Sequence, residues 1–280
     1  MKTALAVTLA FASSLIGCLE RHCETTYKSA QHYSGGPIAS GPEVIAVLWF
    51  QGVDETSMVA ALVSQTGVVS KPIPIPPMFG YSLTLSTTGH SSAMWLTQPN
   101  EGGLAGAVLG EQGLTSFTLA DVNADLAWVN GATVVFDGHN YQVFWLGADR
   151  LHQRQVSEHG VLGDEHDLGA VPSSDGASVF AVTDGAGAVY GVVAAESTRV
   201  LAFDTTSATT RQLSSTDPEG FTIAYWLDGE IHLRHDVWTD VIESFDPATQ
   251  IWRTQPMPAE LDKLQLLPTA TYTPVAVGSS

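Results

Sequence analysis

The chain is short of positive charge. Its 280 residues contain 11 lysines and arginines against 29 aspartates and glutamates, a formal charge of −18 at neutral pH. No lysine or arginine occurs from Pro72 to Asp149. Nucleic acids and anionic lipid surfaces are bound through basic side chains, so neither is a predicted partner. Two interpretations of the acidity remain: solubility outside the cytoplasm, and attraction of cations or basic partners.

Long apolar runs are also lacking, because no segment after the N-terminus reaches 18 uninterrupted apolar residues. Within the first 17 residues Lys2 is the only charge, and the stretch from Ala4 to Ile16 is mostly apolar. This stretch is too short for a stable membrane span and has the length of a signal-peptide core. The sequence therefore predicts an export signal over residues 1–17.

The residues Leu15-Ile16-Gly17-Cys18 resemble the lipobox of bacterial lipoproteins. The resemblance implies cleavage before Cys18, acylation of this cysteine and anchoring to a lipid bilayer, which acyl chains achieve without a transmembrane helix. The alternative is cleavage after Ala12, following an A-x-A pattern. Cys18 and Cys23, the only cysteines, could then close a small disulfide loop.

The leader divides the chain into three predicted parts: a signal peptide (1–17), a lipidated cysteine with a polar tether (18–40), and a folded domain (41–280). Resemblance to lipoprotein sorting signals implies that Leu19, which follows the cysteine, favours the bacterial outer membrane. The chain is thus predicted to be an exported lipoprotein, located on the periplasmic or the surface face of the bacterial outer membrane.

Motifs for common enzyme chemistry are missing from the sequence. It contains no G-x-S-x-G, no H-E-x-x-H and no G-x-x-x-x-G-K-[ST]. Serine-hydrolase, zincin and phosphate-loop chemistries are therefore not predicted.

What the sequence does contain is a hairpin signature that recurs five times. In each copy two β-rich runs flank a four-residue polar turn. Successive turns are spaced by about 40–50 residues, the period of propeller blades. The five turns are Ser64-Gln65-Thr66-Gly67, Gly110-Glu111-Gln112-Gly113, Ser157-Glu158-His159-Gly160, Asp204-Thr205-Thr206-Ser207 and Asp246-Pro247-Ala248-Thr249.

Each repeat can be drawn as four antiparallel strands, most clearly in the third copy. Its predicted strands are Ala132–Asp137, Tyr141–Leu146, Leu151–Ser157 and Val161–Leu168, with an Asp-Gly turn signal at Asp137-Gly138. The fold class is therefore predicted to be all-β, a single β-propeller of five four-stranded blades, with six as the alternative. Leu264–Leu267 and Tyr272–Val277 are expected to close the ring by completing the first blade, whose opening strand the repeat pattern does not supply.

Two segments carry a resemblance to known propellers. Phe245 to Trp252 is similar to the turn between the third and fourth strands of kelch-type blades, and Thr133 to Trp145 is similar to blades of secreted bacterial propeller proteins. Both resemblances imply the same propeller fold.

Two groups of histidines have the side-chain chemistry of metal ligands. His152, His159 and His166 are spaced by seven residues and accompanied by acids, and His232 and His235 are three apart. A spacing of seven residues is not a recognised ligand pattern. His232 and His235 would point to opposite faces, because residues three apart on a strand do so. Both groups are interpreted as solvated or structural, and no metal is predicted from them.

Asp121, Asn123 and Asp125 have the opening spacing of a calcium loop. Leu126 stands where an EF-hand needs glycine, and Ala132 stands where it needs a bidentate acid. No cofactor is predicted, and these three residues are the calcium candidates.

The predicted function is a non-enzymatic binding or scaffolding role, with a protein or glycan as the unidentified ligand. The alternative is a carbohydrate-active hydrolase, because propellers can direct paired carboxylates into a central funnel. The acids available near strand ends are Asp121, Asp125, Asp137, Asp184 and Asp228.

Overall fold

The regular structure is entirely β-strand in the part of the chain that the computed structural model describes. A strand content this complete agrees with the all-β prediction. The described residues are 35–40, 44–51, 57–64, 73–75, 83–87, 92–97, 103–110, 113–120, 131–147, 150–171, 177–184, 186–194, 198–216, 223–234 and 241–256.

The described residues contain twenty strands, which form five separate four-stranded sheets. The first sheet contains β1 (Gly35–Ser40), β2 (Val44–Gln51), β3 (Ser57–Ser64) and β4 (Ile73–Ile75). The second contains β5 (Leu83–Thr87), β6 (Ala93–Thr97), β7 (Leu104–Gly110) and β8 (Gly113–Ala120). The third contains β9 (Ala132–Phe136), β10 (Tyr141–Gly147), β11 (Arg150–Val156) and β12 (Leu162–Ala170). The fourth contains β13 (Ser178–Thr183), β14 (Val189–Ala194), β15 (Thr198–Asp204) and β16 (Thr209–Thr216). The fifth contains β17 (Ile223–Leu227), β18 (Glu230–Arg234), β19 (Val241–Asp246) and β20 (Ile251–Pro256).

Within every sheet the strands are antiparallel and lie side by side in chain order. The first strands of neighbouring sheets contact each other in sequence: β1 packs on β5, β5 on β9, β9 on β13, and β13 on β17. The fourth strands lie at the far edge, where β12 and β20 are largely exposed. This arrangement places the first strands innermost, as in propeller blades. The predicted four-stranded antiparallel unit is confirmed.

The first sheet differs from the sequence prediction in its opening strand. This strand is β1, Gly35–Ser40, which pairs with β2 and lies in the last part of the segment predicted to be a tether. The first sheet already has its opening strand, so it does not need the C-terminal segment to supply one. Leu264–Leu267 and Tyr272–Val277 lie outside the described residues.

Three apolar clusters join the second sheet to the third, the third to the fourth, and the fourth to the fifth. Strand β10 serves two of them and is buried along its whole length. Val143 and Trp145 pack towards the second sheet, whereas Phe144 and Leu146 pack towards the fourth. Successive side chains point to opposite faces of a sheet, so a run apolar on both faces fits between two neighbours.

The third-to-fourth-strand turn of the third sheet packs against the second sheet at Gly160. This glycine has φ +78°, and a β-carbon placed on it would lie 2.7 Å from Cγ2 of Thr115. Gly138, in the other turn at that end of the sheet, also has positive φ, +100°, but a β-carbon there would meet nothing within 4 Å. A side chain at Gly138 would therefore cause backbone strain alone, whereas a side chain at Gly160 would cause backbone strain and a steric contact.

We expect Gly138→Ala to lower the free energy of unfolding by about 1–2 kcal/mol, since a β-carbon at positive φ is strained. Gly160→Ala should cost about 1 kcal/mol more, because its β-carbon also displaces Thr115. Urea unfolding of both variants measures the difference. Equal losses would show that the contact between the two sheets tolerates the extra methyl group.

Candidate functional site

The predicted lipidation and calcium residues cannot be placed. Cys18, Asp121, Asn123 and Asp125 all lie outside the described residues. Asp121 and Asp125 therefore stay predictions as hydrolase carboxylates, and of the five predicted acids the structure describes Asp137, Asp184 and Asp228.

These three acids lie at corresponding positions in the third, fourth and fifth sheets. Each follows the first strand of its sheet, where the chain turns into the second. In an antiparallel sheet the third-to-fourth connection lies at the same end as the first-to-second connection. Asp204 and Asp246 follow third strands, so they share this end with the three predicted acids. We call it the turn end of each sheet.

Asp137 is a buried carboxylate that is fully engaged inside its own sheet. Its Oδ1 accepts the backbone N–H groups of His139 and Asn140, both at 2.8 Å. Its Oδ2 accepts from Nε2 of Gln142 at 2.7 Å, and Oε1 of Gln142 accepts from Nε2 of Gln153, also at 2.7 Å. The carboxylate thus shapes the turn and orients two buried amides, and its burial is compensated by three hydrogen-bond donors.

Asp184 and Asp228 are also turn residues. Oδ1 of Asp184 accepts the N–H groups of Ala186 and Ala188, at 2.8 and 2.9 Å. Asp228 is exposed and has φ +52°, a left-handed conformation that aspartate tolerates in turns. The contacts of Asp137 and Asp184 are those of aspartates that stabilise turns through their own backbone.

Asp204 and Asp246 have the same role with an added hydroxyl donor. The hydroxyls of Ser207 and Thr249 donate to Oδ2 of Asp204 and Asp246, each at 2.7 Å. The Thr249 hydroxyl, followed by backbone N–H groups, holds the pKa of Asp246 below its usual range, and Ser207 does the same for Asp204. Both carboxylates therefore remain ionised in mildly acidic solution.

The histidines of the third sheet do not converge. His152 pairs across the strands with Asp167, whereas His166 pairs with Gln153, so the two imidazoles point to opposite faces. Nδ1 of His152 lies 3.1 Å from Oε1 of Glu165, and the ring stacks on Trp145 with a 5.4 Å centroid separation. Two neighbouring acids form ion pairs with arginines: Asp167 with Arg150 at 2.6 Å, and Glu165 with Arg154 at 3.7 Å.

Of the second histidine group, the structure describes His232 alone. His235 lies outside the described residues, and His232 is buried on β18 with Nε2 of Gln255 3.5 Å from its Nδ1. Arg253 forms an ion pair with Glu230 on the same face of the fifth sheet. Among the described residues, no group of three or more His, Cys, Asp or Glu side chains is arranged to hold a metal ion.

An aromatic pair at the turn end, between the fourth and fifth sheets, was missed by sequence reasoning. Tyr190 of β14 and Trp226 of β17 stack in parallel, with centroids 5.4 Å apart and planes 5° apart. Both side chains are half-buried. Burial first, and then the nearby charge of Asp184, raise the pKa of Tyr190, which keeps its phenol protonated. The two residues are on separate repeats, so only sheet packing brings them together.

No helix long and apolar enough to cross a membrane occurs among the described residues.

Known structures are similar to this chain in fold, but no family is assigned to it. No known protein family and no curated protein matches the chain. The β-propeller domain of the trilobed protease from Pyrococcus furiosus shares 8% identity, with 84% of this chain and 73% of that chain covered and a TM-score of 0.53. The propeller domain of Cps50 (Swd1) from Myceliophteria thermophila shares 12%, with 78% and 69% covered and a TM-score of 0.50.

A prolyl endopeptidase structure is also similar, with 12% identity, 82% of this chain covered and a TM-score of 0.51. This chain spans only 34% of that protein's length. At these identities the likenesses concern the fold alone. Together with the five four-stranded sheets, they define the chain as a β-propeller.

We expect Thr249→Val to raise the pKa of Asp246 towards its ordinary value of 3.8, because the strongest hydrogen bond to the carboxylate is lost. A folded-state pKa below the unfolded one stabilises the fold above the unfolded value, and this contribution is lost as pH falls through the folded pKa. The variant's stability deficit should therefore be present at neutral pH and disappear in acid.

Titration of ¹³C-labelled aspartate carboxyls by NMR measures this shift. Ser207→Ala is the matched control, since it removes the equivalent hydroxyl from Asp204 and should leave the titration of Asp246 unchanged. An unchanged pKa of Asp246 in Thr249→Val would contradict the assigned cause.

Proposed function

We propose that this chain is an exported, lipid-anchored β-propeller that binds a protein or glycan ligand without catalysing a reaction. The anchor is acylated Cys18, and the binding surface belongs to the propeller. The location proposed is the bacterial outer membrane, on its periplasmic or surface face.

One observation carries the choice of binding over hydrolysis. Glycoside hydrolysis requires two carboxyl groups facing a shared space, one of them able to donate a proton. Asp137 instead uses both oxygens inside its own sheet, and Asp184 uses Oδ1 to accept two turn amides. Asp137 is therefore committed to its own sheet and Asp184 to its turn through one oxygen, which supports the binding role.

The anchoring proposal is supported by the leader and by the position of the first strand. Residues 1–17 have the charge, apolar length and small residue before cysteine that resemble a lipoprotein signal. Strand β1 begins at Gly35, so 16 residues separate Cys18 from the first sheet. Sixteen residues reach at most about 53–58 Å when fully extended, so this length of chain is sufficient for the domain to lie clear of the headgroups.

For the architecture we propose a ring of five blades in which the fifth blade meets the first. The described sheets form an uninterrupted series of neighbours from first to fifth, which supports five blades, and the contact between the fifth blade and the first is part of the proposal. A sixth blade built from both ends of the chain is the alternative. The trilobed protease propeller, described as having an open velcro topology, shows that relatives in fold do not all close alike.

We expect Cys18→Ser to abolish incorporation of labelled fatty acid and to move the protein from the membrane to the soluble fraction, because no other segment provides an acyl site with a lipobox-like context. Cys23→Ser is the matched control and should stay acylated and membrane-bound. The alternative, cleavage after Ala12, predicts a mature N-terminus at Ser13 and equal behaviour of both variants. Mass spectrometry of the mature N-terminus distinguishes the two.

We expect glycans that bind the Cys18→Ser chain to raise its melting temperature by mass action without being cleaved. The measurement is a thermal-shift screen against plant and bacterial glycans, calcium and EDTA, with chromatography of the sugars afterwards. Cleavage products that disappear in Asp184→Asn or Asp228→Asn would overturn the non-enzymatic assignment. A shift with calcium that EDTA reverses would favour the Asp121–Asp125 loop as a metal site.

A further inference from the structure

The turn end of the seam between the fourth and fifth sheets combines half-exposed aromatic rings with carboxylates. Tyr190 lies one residue into β14, directly after the first turn of the fourth sheet, and Trp226 lies just before the corresponding turn of the fifth. Their parallel stack, with planes 5° apart, joins the two sheets at this end, and both rings also pack against the apolar cluster between the sheets. We call the stack and its flanking turns the aromatic notch.

The charges around the aromatic notch are mainly negative. Asp184 and Asp204 are in the turns of the fourth sheet at this end, and Asp228 and Asp246 are in those of the fifth. Asp184 uses only Oδ1 for its turn, and no donor among the described residues reaches its Oδ2. Asp184 therefore has one carboxylate oxygen outside its turn contacts, in the turn that leads into the strand of Tyr190, and after burial its charge raises the pKa of the phenol.

Arg211 supplies the opposing charge. It lies in the same cross-strand row as Tyr190, separated from it by Ala202, and its side chain is exposed. The other arginine of this region, Arg253, is already in an ion pair with Glu230. Arg211 is therefore the residue that would compete with an incoming cation.

Aromatic rings attract cations to their faces, most strongly for tryptophan, and a neighbouring carboxylate adds to this attraction. The whole chain carries a formal charge of −18, which draws basic partners towards it. We propose that the aromatic notch binds the ammonium group of a lysine side chain, presented by a lysine-rich segment of a partner protein. This inference rests on the proposed binding role and names its partner.

The test uses the full chain with Cys18→Ser and a blocked lysine pentapeptide, titrated at constant ionic strength. We expect a saturable change in tryptophan emission and a matching calorimetric binding curve. A blocked glutamine pentapeptide should produce neither. Absence of lysine-peptide binding would overturn the proposal.

Asp184→Asn is the decisive variant, because asparagine keeps the Oδ1 acceptor of the turn and removes only the charge. We expect it to weaken lysine-peptide binding about five- to tenfold, the range of one charge and aromatic contact. Asp167→Asn is the matched control, since it makes the same change in net charge on the outer strand of the third sheet. Equal weakening by both variants would show general charge attraction and overturn the site.

Two further variants distinguish the contribution of the Trp226 ring to binding from that of the Arg211 charge. Trp226→Phe keeps an aromatic face and should retain binding within about twofold by calorimetry while losing the emission change. Arg211→Gln should tighten binding, because it removes the competing cation. Failure at the aromatic notch would leave membrane anchoring and glycan shifts unchanged, so it is distinguishable from failure of the proposed function.

Discussion

Face-to-face packing of adjacent sheets is the constraint on which the rest of this structure depends. A four-stranded sheet with two apolar faces cannot be stable alone in water, and each buried Val, Leu or Phe side chain contributes about 1.5–3 kcal/mol only when a neighbour covers it. Strand β10 shows the consequence, because alternate side chains serve two different neighbours. The second, third and fourth sheets therefore stabilise one another in series, as repeat proteins do.

This packing leaves the turns and outer strands as the places where polar chemistry can occur. Aspartate is used repeatedly at the turn end, where its carboxylate accepts amide hydrogens that no strand partner satisfies. An acid in this role is fixed by its turn, and at Asp204 and Asp246 the hydrogen bonds also hold the pKa below its usual range. The same residue can thus stabilise a turn and contribute charge to a binding surface, whereas proton transfer between paired acids requires a different arrangement.

The sequence was most informative where local signals agreed. Asp137-Gly138 marked the first turn of the third sheet, and the predicted strands there match the observed ones to within about two residues, the usual uncertainty of strand ends. The prediction failed at β1, whose Gly35-Gly36-Pro37 start has little intrinsic strand preference. This strand exists because the edge of β2 requires hydrogen-bond partners, and that requirement is not visible in the segment itself.

The amino-acid sequence by itself determined the order of the hairpin repeats, the four strands of the third sheet and its Asp137-Gly138 turn. These depend on contacts between residues near one another in the chain. Tertiary structure decided which faces meet: Asp137 reaches Gln142 and Gln153 through strand register, and Tyr190 reaches Trp226 through packing of separate sheets. Alternation along a strand tells which residues share a face, but only the docking of whole sheets selects the face opposite.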